Sequence, residues 1–259
     1  MFDTLTFEVR DRVAYVQFTT PQTLNSISEQ RIADLEDVVA AVGADVNIRA
    51  LTFTGSGRAF CVGLDLGLLE RAFYDIPYFE RTIRRLQKVL FELEDLPVVV
   101  VAAVNGLARA GGFEMLLAAD FVVIADEAKI GDAHAHLGVL PGAGCSQRLP
   151  RRVGEQRAKE LILLARWITG QEAAAMGLAL RSVPLAELPV AVEAIVAEMR
   201  HRPRETTRAL KREIHAARHL DLRAGVEFET TTFVEYMTRL SIGREGYEAS
   251  LAGRDPNWW

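Results

Sequence analysis

The first part of the chain alternates between apolar and polar positions in two different periods. Residues 7–18 place apolar side chains on one face on either side of a polar triplet at 10–12, which predicts a half-exposed β-hairpin. From residue 32 the apolar positions recur at helical spacing, with Ser28 as a candidate N-cap and Gly43 at the end of the pattern. We therefore expect a hairpin followed by an amphipathic helix.

Continuous apolar runs replace this pattern in the middle of the chain. Residues 98–104 form a β-branched run and 50–54 a shorter apolar one, which is typical of strands buried in a parallel sheet. A helical stripe at 79–93 lies between them, and 121–125 predicts a further strand. After residue 150 one helical pattern follows another. Strands that alternate with helices indicate an α/β fold, here with a helical end.

Composition narrows the class of function only in part. The chain has 259 residues, of which 49% are hydrophobic and 25% charged, so it can bury a core without disulfide bonds or structural metals. Its 2 cysteines lie far apart without metal-binding spacing, which favours the reducing cytoplasm. A formal net charge of −5 opposes nucleic-acid binding, and the longest apolar run is too short to cross a membrane. We therefore expect a protein that binds neither nucleic acid nor a membrane.

Two glycine-rich breaks, at residues 58–66 and 105–114, follow the buried strands and enter helices. In open α/β sheets ligands bind at such breaks, and the free N–H groups at a helix start point toward negative charge. Two N–H groups that converge on one oxygen would form an oxyanion hole. From spacing alone, the alternative is that the glycines only allow close helix packing.

A row of potential ligands, Asp132, His134 and His136, raises the question of a metal ion. On a strand, alternate side chains such as these would share a face. The sequence shows no further ligand nearby, so we expect no metal site. The glycines at 55 and 57 also lack the third glycine of a dinucleotide-binding loop, and we expect no cofactor.

The two glycine breaks resemble segments of the crotonase family, also called the enoyl-CoA hydratase/isomerase superfamily. The resemblance runs almost from end to end and includes LNSI at 24–27, AFCVGLDL at 59–66, NGLARAGGFE at 105–114, Asp120, LPGAG at 140–144, QRL at 147–149 and EGY at 245–247. It implies a crotonase-like ββα spiral core over residues 1–200 and a helical trimerisation region over 201–259. It also implies an acyl-CoA thioester substrate, of which coenzyme A is a part, and a homotrimer or dimer of trimers.

The resemblance also assigns roles to particular residues. The backbone N–H groups of Leu64 and Gly111 would form the oxyanion hole, and Glu114 takes the position of the first catalytic glutamate, which orients or deprotonates water. A carboxylate at the start of an apolar helix is in addition an unusual choice for a purely structural position. The substrate-binding residues would be Arg58, Ala59, Cys61, Gly63, Asp65, Leu66, Phe73, Leu137 and Gly138.

His134 stands where the family has its second catalytic glutamate. Imidazole, with an unperturbed pKa of about 6.5, acts as an acid or a base but cannot complete a clamp of two carboxylates on water. Three roles are open. In the first, His134 replaces the acid of a hydratase. In the second, it serves with Glu114 in another enolate reaction, such as double-bond isomerisation or hydrolysis of a β-dicarbonyl carbon–carbon bond. In the third, it is a polar residue without a catalytic function, and Glu114 acts alone or with Asp132.

We expect an enzyme that hydrates a 2-enoyl-CoA to a 3-hydroxyacyl-CoA, as in fatty acid metabolism, with Glu114 and His134 as its catalytic residues. The alternative of a different class is a family member without activity that only binds CoA esters. The carboxylate of Glu114 argues against that alternative, because a silent site has no need of it.

Overall fold

The computed structural model describes residues 2–239 and 241–258. Its strands are β1 (Leu5–Arg10), β2 (Val13–Phe18), β3 (Ala50–Gly55), β4 (Ala59–Cys61), β5 (Val99–Val104), β6 (Leu107–Arg109), β7 (Phe121–Ala125), β8 (Lys129–Gly131), β9 (Ile168–Thr169) and β10 (Arg181–Val183). Its helices are α1 (Glu29–Ala44), α2 (Leu66–Tyr74), α3 (Ile76–Asp95), α4 (Gly111–Leu117), α5 (Cys145–Val153), α6 (Glu155–Leu163), α7 (Gly170–Ala175), α8 (Leu188–Met199), α9 (Arg204–Ala216), α10 (Leu222–Arg239) and α11 (Ile242–Leu251).

The predicted hairpin and first helix are confirmed. Strands β1 and β2 pair antiparallel, and the turn between them places Asp11 and Arg12 at φ of 46° and 65°. Positive φ at both central residues matches the twist of the two strands. Ser28 caps α1, because its side chain accepts a hydrogen bond from the N–H of Arg31 at 3.1 Å.

A six-stranded sheet in the order β1-β2-β3-β5-β7-β10 forms the centre of the fold. Every pairing after the first hairpin is parallel. All residues of β5 are buried, which explains why its sequence is a continuous apolar run rather than an alternating one. Helix α8 packs on one face of this sheet, whereas α1, α3 and a second sheet pack on the other.

The second sheet consists of the short strands β4-β6-β8-β9. Strands β3, β5 and β7 each continue after a few residues into β4, β6 and β8, so each turn of the chain adds one strand to each sheet. This arrangement is the spiral that the resemblance implies. The sequence pattern did not predict the short strands, because two or three residues carry no periodic signal.

Asn25, in the LNSI segment, fixes the first connection between the two sheets. Its Nδ2 donates hydrogen bonds to the carbonyl oxygens of Ser56 at 2.9 Å and Ala59 at 2.8 Å. The chain is so tightly folded here that a Cβ on Gly55 would lie 2.1 Å from the Ala59 carbonyl oxygen. The motif therefore has a structural role directly before the first glycine-rich loop.

Helix α9 is fixed to the main sheet by a buried ion pair. Lys211 Nζ lies 2.7 Å from Asp120 Oδ2 and donates to the Val98 carbonyl oxygen at 2.9 Å. The predicted boundary at residue 200 falls between α8 and α9. The division into 1–200 and 201–259 stays a prediction, and Leu240 and Trp259 of the second part lie outside the described residues.

The described helices also bear on a membrane location. Within residues 2–239 and 241–258, none combines the length and the apolar character that crossing a bilayer requires.

Candidate active site

Two loops from successive turns of the spiral meet at Gly63 and Gly111. Gly63 has a φ of +92°, and a Cβ there would lie 2.9 Å from the backbone N of Gly111. At Gly112 a Cβ would lie 2.0 Å from the Cys61 carbonyl oxygen. These glycines do allow close packing of the backbone, which was the alternative role considered from their spacing in the sequence. The same packing brings the backbone of the two loops together at one point.

Leu64 and Gly111 line one cavity, and within the described residues neither backbone N–H has an acceptor. The Ile27 N–H donates to the Gly63 carbonyl at 2.8 Å, and the Asp65 N–H donates back to Ile27 at 2.9 Å. Because N–H groups alternate in direction along an extended chain, that of Leu64 points away from Ile27. Gly111 is the first residue of α4, where the N–H has no intrahelical acceptor.

Ala110 sets the direction of the Gly111 N–H. Its φ of 48° and ψ of −119° form a combination that alanine rarely adopts. Its own N–H donates to the carbonyl oxygens of Gly131 at 3.3 Å and Asp132 at 3.1 Å. The loop that follows β8 therefore holds this strained residue in place.

Glu114 is buried in the first turn of α4, with 2% of its surface exposed. Its Oε1 accepts hydrogen bonds from the backbone N–H groups of Ala143 at 2.7 Å and Cys145 at 3.0 Å. Burial raises the pKa of Glu114, the two N–H donors and His134 lower it, and the net result is a pKa above that of ordinary glutamate. The carboxylate is consequently a stronger base than an exposed one.

The loop that holds Glu114 is itself fixed from two sides. Gln87 of α3 donates from Nε2 to the Gly142 carbonyl oxygen at 2.7 Å. Arg148 of α5 donates to the Ala143 carbonyl oxygen at 2.7 Å and pairs with Glu94 at 2.6 Å. The LPGAG segment thus forms a rigid support for the Glu114 carboxylate.

His134 follows β8 and is paired with Asp132, which is completely buried. His134 Nδ1 lies 2.8 Å from Asp132 Oδ1. Ala133 between them has a φ of 58°, so the chain turns back and both side chains lie on the same side. The contact occupies Nδ1, and Nε2 has no hydrogen-bond partner among the described residues.

The pKa of His134 reflects two opposed effects. Burial lowers it, but the hydrogen bond and charge of Asp132, together with the charge of Glu114, outweigh burial and raise the pKa above that of ordinary histidine. The imidazole is therefore more readily protonated near neutral pH than an exposed one. A protonated ring with a free Nε2 can donate a proton into the cavity.

The cavity that these groups share has a volume of about 690 Å³. Helices α2 and α3 supply most of its apolar wall, including Leu69, Phe73, Ile76, Phe79 and Ile83. Such a space, apolar except for a few convergent polar groups, is typical of a small-molecule binding site.

The structure brings together some of the predicted site residues and separates others. Leu64, Phe73, Gly111, Glu114, His134 and Leu137 all line the cavity. Gly63 lies behind its wall, in contact with Gly111. The role of each in binding or catalysis stays a prediction.

The remaining predicted residues do not line this cavity. Arg58 is exposed on the surface, Leu66 is 79% exposed, and Gly138 ends a 3₁₀ turn in the left-handed conformation. Asp65 caps α2 by accepting from the N–H of Gly67 at 2.9 Å. Ala59 and Cys61 are buried in β4, and burial raises the pKa of the Cys61 thiol to about 11. Any contact of these residues with a ligand would therefore lie outside this cavity.

Sequence reasoning did not anticipate the positions that two residues take at the site. Asp132 was considered as a metal ligand and as a residue that acts with Glu114, but not as the partner of His134, although the D-x-H spacing carried the signal. Arg109 lines the cavity and was not singled out. The sequence feature that could have indicated Arg109 is a cationic residue inside an otherwise apolar, glycine-rich segment. Among the described residues no three histidine, cysteine or acidic side chains form a group that could hold a metal ion, and His136 is exposed.

The chain is similar over nearly its whole length to known proteins. A family model described as enoyl-CoA hydratase/isomerase matches residues 8–259. A probable enoyl-CoA hydratase of Rhodobacter capsulatus is 32% identical, over 99% of this chain and 98% of the relative. A crotonyl-CoA hydratase of Syntrophomonas wolfei is 30% identical, over 99% of this chain and 98% of the relative.

The fold is also found among solved structures. An enoyl-CoA hydratase from Bacillus anthracis superposes with a TM-score of 0.93 at 31% identity, and the match covers 99% of both chains. The structure of DspI from Pseudomonas aeruginosa also gives 0.93, at 30% identity over 99% of this chain and 97% of that one. The predicted α/β fold and the resemblance stated from the sequence motifs are confirmed.

Proposed function

The chain belongs to the enoyl-CoA hydratase/isomerase family, and we propose that it adds water to a 2-enoyl-CoA to give a 3-hydroxyacyl-CoA. One observation carries the proposal. Glu114, the paired His134 and the two free N–H groups of Leu64 and Gly111 all border one apolar cavity. Hydration of a conjugated thioester needs a base, an acid and an anion-binding group at one place, and this arrangement supplies all three.

The thioester oxygen would be held by the N–H groups of Leu64 and Gly111. As water adds to the β-carbon, negative charge moves to this oxygen and gives an enolate. Fixed donors in a dry site stabilise such charge without reorganising, and loss of one donor typically costs about 3 kcal/mol. Backbone geometry at these two residues therefore matters more than the identity of their side chains.

Glu114 would take a proton from the attacking water. Its Oε1 accepts two backbone N–H groups, which leaves the second oxygen to face a ligand. The raised pKa of this buried carboxyl increases its strength as a base, while the backbone contacts hold it at a fixed position. Water would thus be oriented and deprotonated in one step.

His134 would donate the other proton, from Nε2 to the α-carbon of the enolate. The Asp132 carboxylate favours the protonated ring and fixes its orientation through Nδ1. After the carbon–oxygen and carbon–hydrogen bonds have formed, Glu114 carries one proton and His134 has lost one. Transfer of that proton from Glu114 to His134, directly or through solvent, restores the starting state.

Hydrolysis of a β-dicarbonyl carbon–carbon bond is the second candidate. A histidine backed by a carboxylate is also the arrangement of a general base that activates water, and the Asp132–His134 pair has it. In that reaction water would add to a carbonyl carbon, and the enolate that leaves would be held at the same N–H groups. The two reactions differ in their products, so they are separable by mass.

We further propose a homotrimer or dimer of trimers in the cytoplasm, acting without a cofactor. Support for assembly comes from α10, where the exposed Val226, Phe233 and Met237 recur at helical spacing on one face. Light scattering of the purified protein tests the assembly directly.

The hydratase proposal is tested by incubating the protein with crotonyl-CoA and following loss of the conjugated-thioester absorbance. The product should gain the mass of one water. Glu114→Gln and His134→Ala should each lose activity, whereas Arg81→Met, an exposed position on α3, should not. A wild-type protein that is inert on enoyl-CoA esters of every chain length would overturn the proposal.

A further inference from the structure

Arg109 is a half-buried cationic residue in the wall of this cavity. It is the last residue of β6, two residues before Gly111, and it borders the same space as Glu114 and His134. Its charge is close enough to His134 to oppose protonation of the imidazole. Arg109 therefore borders the same cavity as the two proposed catalytic groups.

The other charged groups at this cavity have partners. Arg84 pairs with Glu80 at 2.7 Å on the exposed side of α3. His134 and Glu114 are both hydrogen-bonded, as described above. Within the part of the chain that the structure describes, the Arg109 side chain has neither a hydrogen bond nor an ion pair, and its Nε is buried without an acceptor.

We propose that Arg109 binds a carboxylate on the acyl group, so that the substrate is a monothioester of an unsaturated dicarboxylic acid. This inference rests on the proposed function and names the substrate class of the same site. A guanidinium beside an apolar wall is unfavourable unless an acceptor reaches it. A carboxylate fits its planar fork with two charge-assisted hydrogen bonds. A plain alkyl chain would instead cover the charge and leave its N–H groups unpaired.

The phosphates of coenzyme A do not account for Arg109. The long pantetheine arm separates them from the thioester, whereas Arg109 is two residues from Gly111, whose N–H is proposed to hold the thioester oxygen. An acceptor that reaches Arg109 must therefore belong to the acyl part of the ligand.

The test compares two substrates of equal length, glutaconyl-CoA and 2-pentenoyl-CoA, which differ by a carboxylate in place of the terminal methyl group. We expect wild type to have the higher kcat/KM for glutaconyl-CoA. In Arg109→Met the ratio of the two kcat/KM values should fall about 10- to 100-fold, the range for loss of a hydrogen-bonded charge pair. Arg109→Lys should keep part of the preference, and Arg81→Met, the matched surface control, should keep all of it.

Binding of saturated esters provides a readout that does not depend on turnover. Glutaryl-CoA should bind wild type more tightly than pentanoyl-CoA in titration calorimetry, and Arg109→Met should remove the difference. An equal ratio in wild type and Arg109→Met, or a wild-type preference for the alkyl esters, would overturn the inference.

The two proposals fail in different ways. If neither enoyl ester is hydrated but glutaryl-CoA still binds preferentially through Arg109, the proposed reaction is wrong and the carboxylate site stands. If 2-pentenoyl-CoA is hydrated and the dicarboxylic esters have no advantage in rate or binding, the hydratase stands and the carboxylate site does not.

Discussion

The two sides of the cavity that carry the titratable groups are held by different kinds of contact. On one side, main-chain N–H groups of Ala143 and Cys145 hold Glu114. On the other, a side-chain carboxylate, that of Asp132, holds His134. We call these the Glu114 side and the His134 side.

This difference has consequences for how each side responds to change. The partners of Glu114 do not titrate, and no substitution other than proline removes them, so the Glu114 side depends on the path of the backbone. The partner of His134 is an ionisable group that a single substitution neutralises. We therefore expect the Glu114 side to be sensitive to changes in backbone shape and the His134 side to be sensitive to pH.

The largest expected effect is that of Glu114→Gln. The glutamine carbonyl can still accept the N–H groups of Ala143 and Cys145, but the amide cannot take a proton from water. We expect kcat with a 2-enoyl-CoA to fall about 10³-fold, with little change in the affinity for the CoA ester. If steady-state kinetics place the variant within tenfold of wild type, water is activated from the His134 side instead.

Gly63→Ala tests the dependence of the site on backbone shape. The new Cβ would lie 2.9 Å from the backbone N of Gly111, at a residue whose φ is +92°. If the Gly111 N–H holds the thioester oxygen as proposed, displacing it should lower kcat about 10²-fold. The control is Gly225→Ala in α10, where a Cβ meets nothing within 4 Å. Equal activity of the two variants would mean that the Gly63–Gly111 contact does not serve the reaction.

Asp132→Asn tests the His134 side through pH. In the proposed reaction His134 is the acid, so activity should be high below its pKa and fall as pH rises through it. The Asp132 carboxylate raises that pKa, so its neutralisation should move the falling limb of the kcat profile to lower pH. At neutral pH we expect a loss of about tenfold. If the falling limb does not move, a group other than His134 is responsible for it.

The same substitution has a signature in stability. A raised folded-state pKa means that protonated His134 stabilises the fold fully below its unfolded pKa of about 6.5. This contribution is lost as pH rises through the folded-state pKa. Wild type and Asp132→Asn should therefore differ in the free energy of unfolding, and the part of this difference that arises from His134 should shrink as pH rises. Urea titrations at several pH values measure it.

The smallest expected effect is that of Gln87→Leu, which removes the hydrogen bond from α3 to the Gly142 carbonyl. We expect a loss of about 1 kcal/mol in the free energy of unfolding. We also expect a severalfold decrease in kcat, because the loop that holds Glu114 is less firmly fixed. A loss of stability without any decrease in kcat would show that the Arg148 contact alone is sufficient to position this loop.

Much of the fold could be predicted because its long elements bury continuous or periodic apolar faces. Strand β5 and helices α1 and α3 appear where the pattern of apolar residues indicates them. The second sheet could not be predicted, because its strands have only two or three residues and are defined by pairing with distant segments. The contact between Gly63 and Gly111 likewise depends on two turns of the spiral that are far apart in the chain.

The site was predictable to a similar extent. The glycine segments and Glu114 carry motifs that resemble those of the family, and the structure places them at one cavity. The D-x-H spacing brings Asp132 close to His134 in the sequence, but their contact also depends on the left-handed conformation of Ala133, which alanine does not favour. The position of Arg109 within the cavity wall also follows only from the pairing of β6 with its neighbours.

Ala110 and Ala133 affect the backbone conformation of their loops in the same way. Both adopt positive φ, where glycine would be free of strain, and each directly precedes a residue of the site, Gly111 or His134. Alanine has fewer alternative backbone conformations than glycine, so strain in the native loop is accompanied by a smaller set of competing loop shapes. Glycine at these two positions would relax the backbone and broaden the range of loop conformations. The precision of the site therefore depends in part on having alanine, rather than glycine, at both positions.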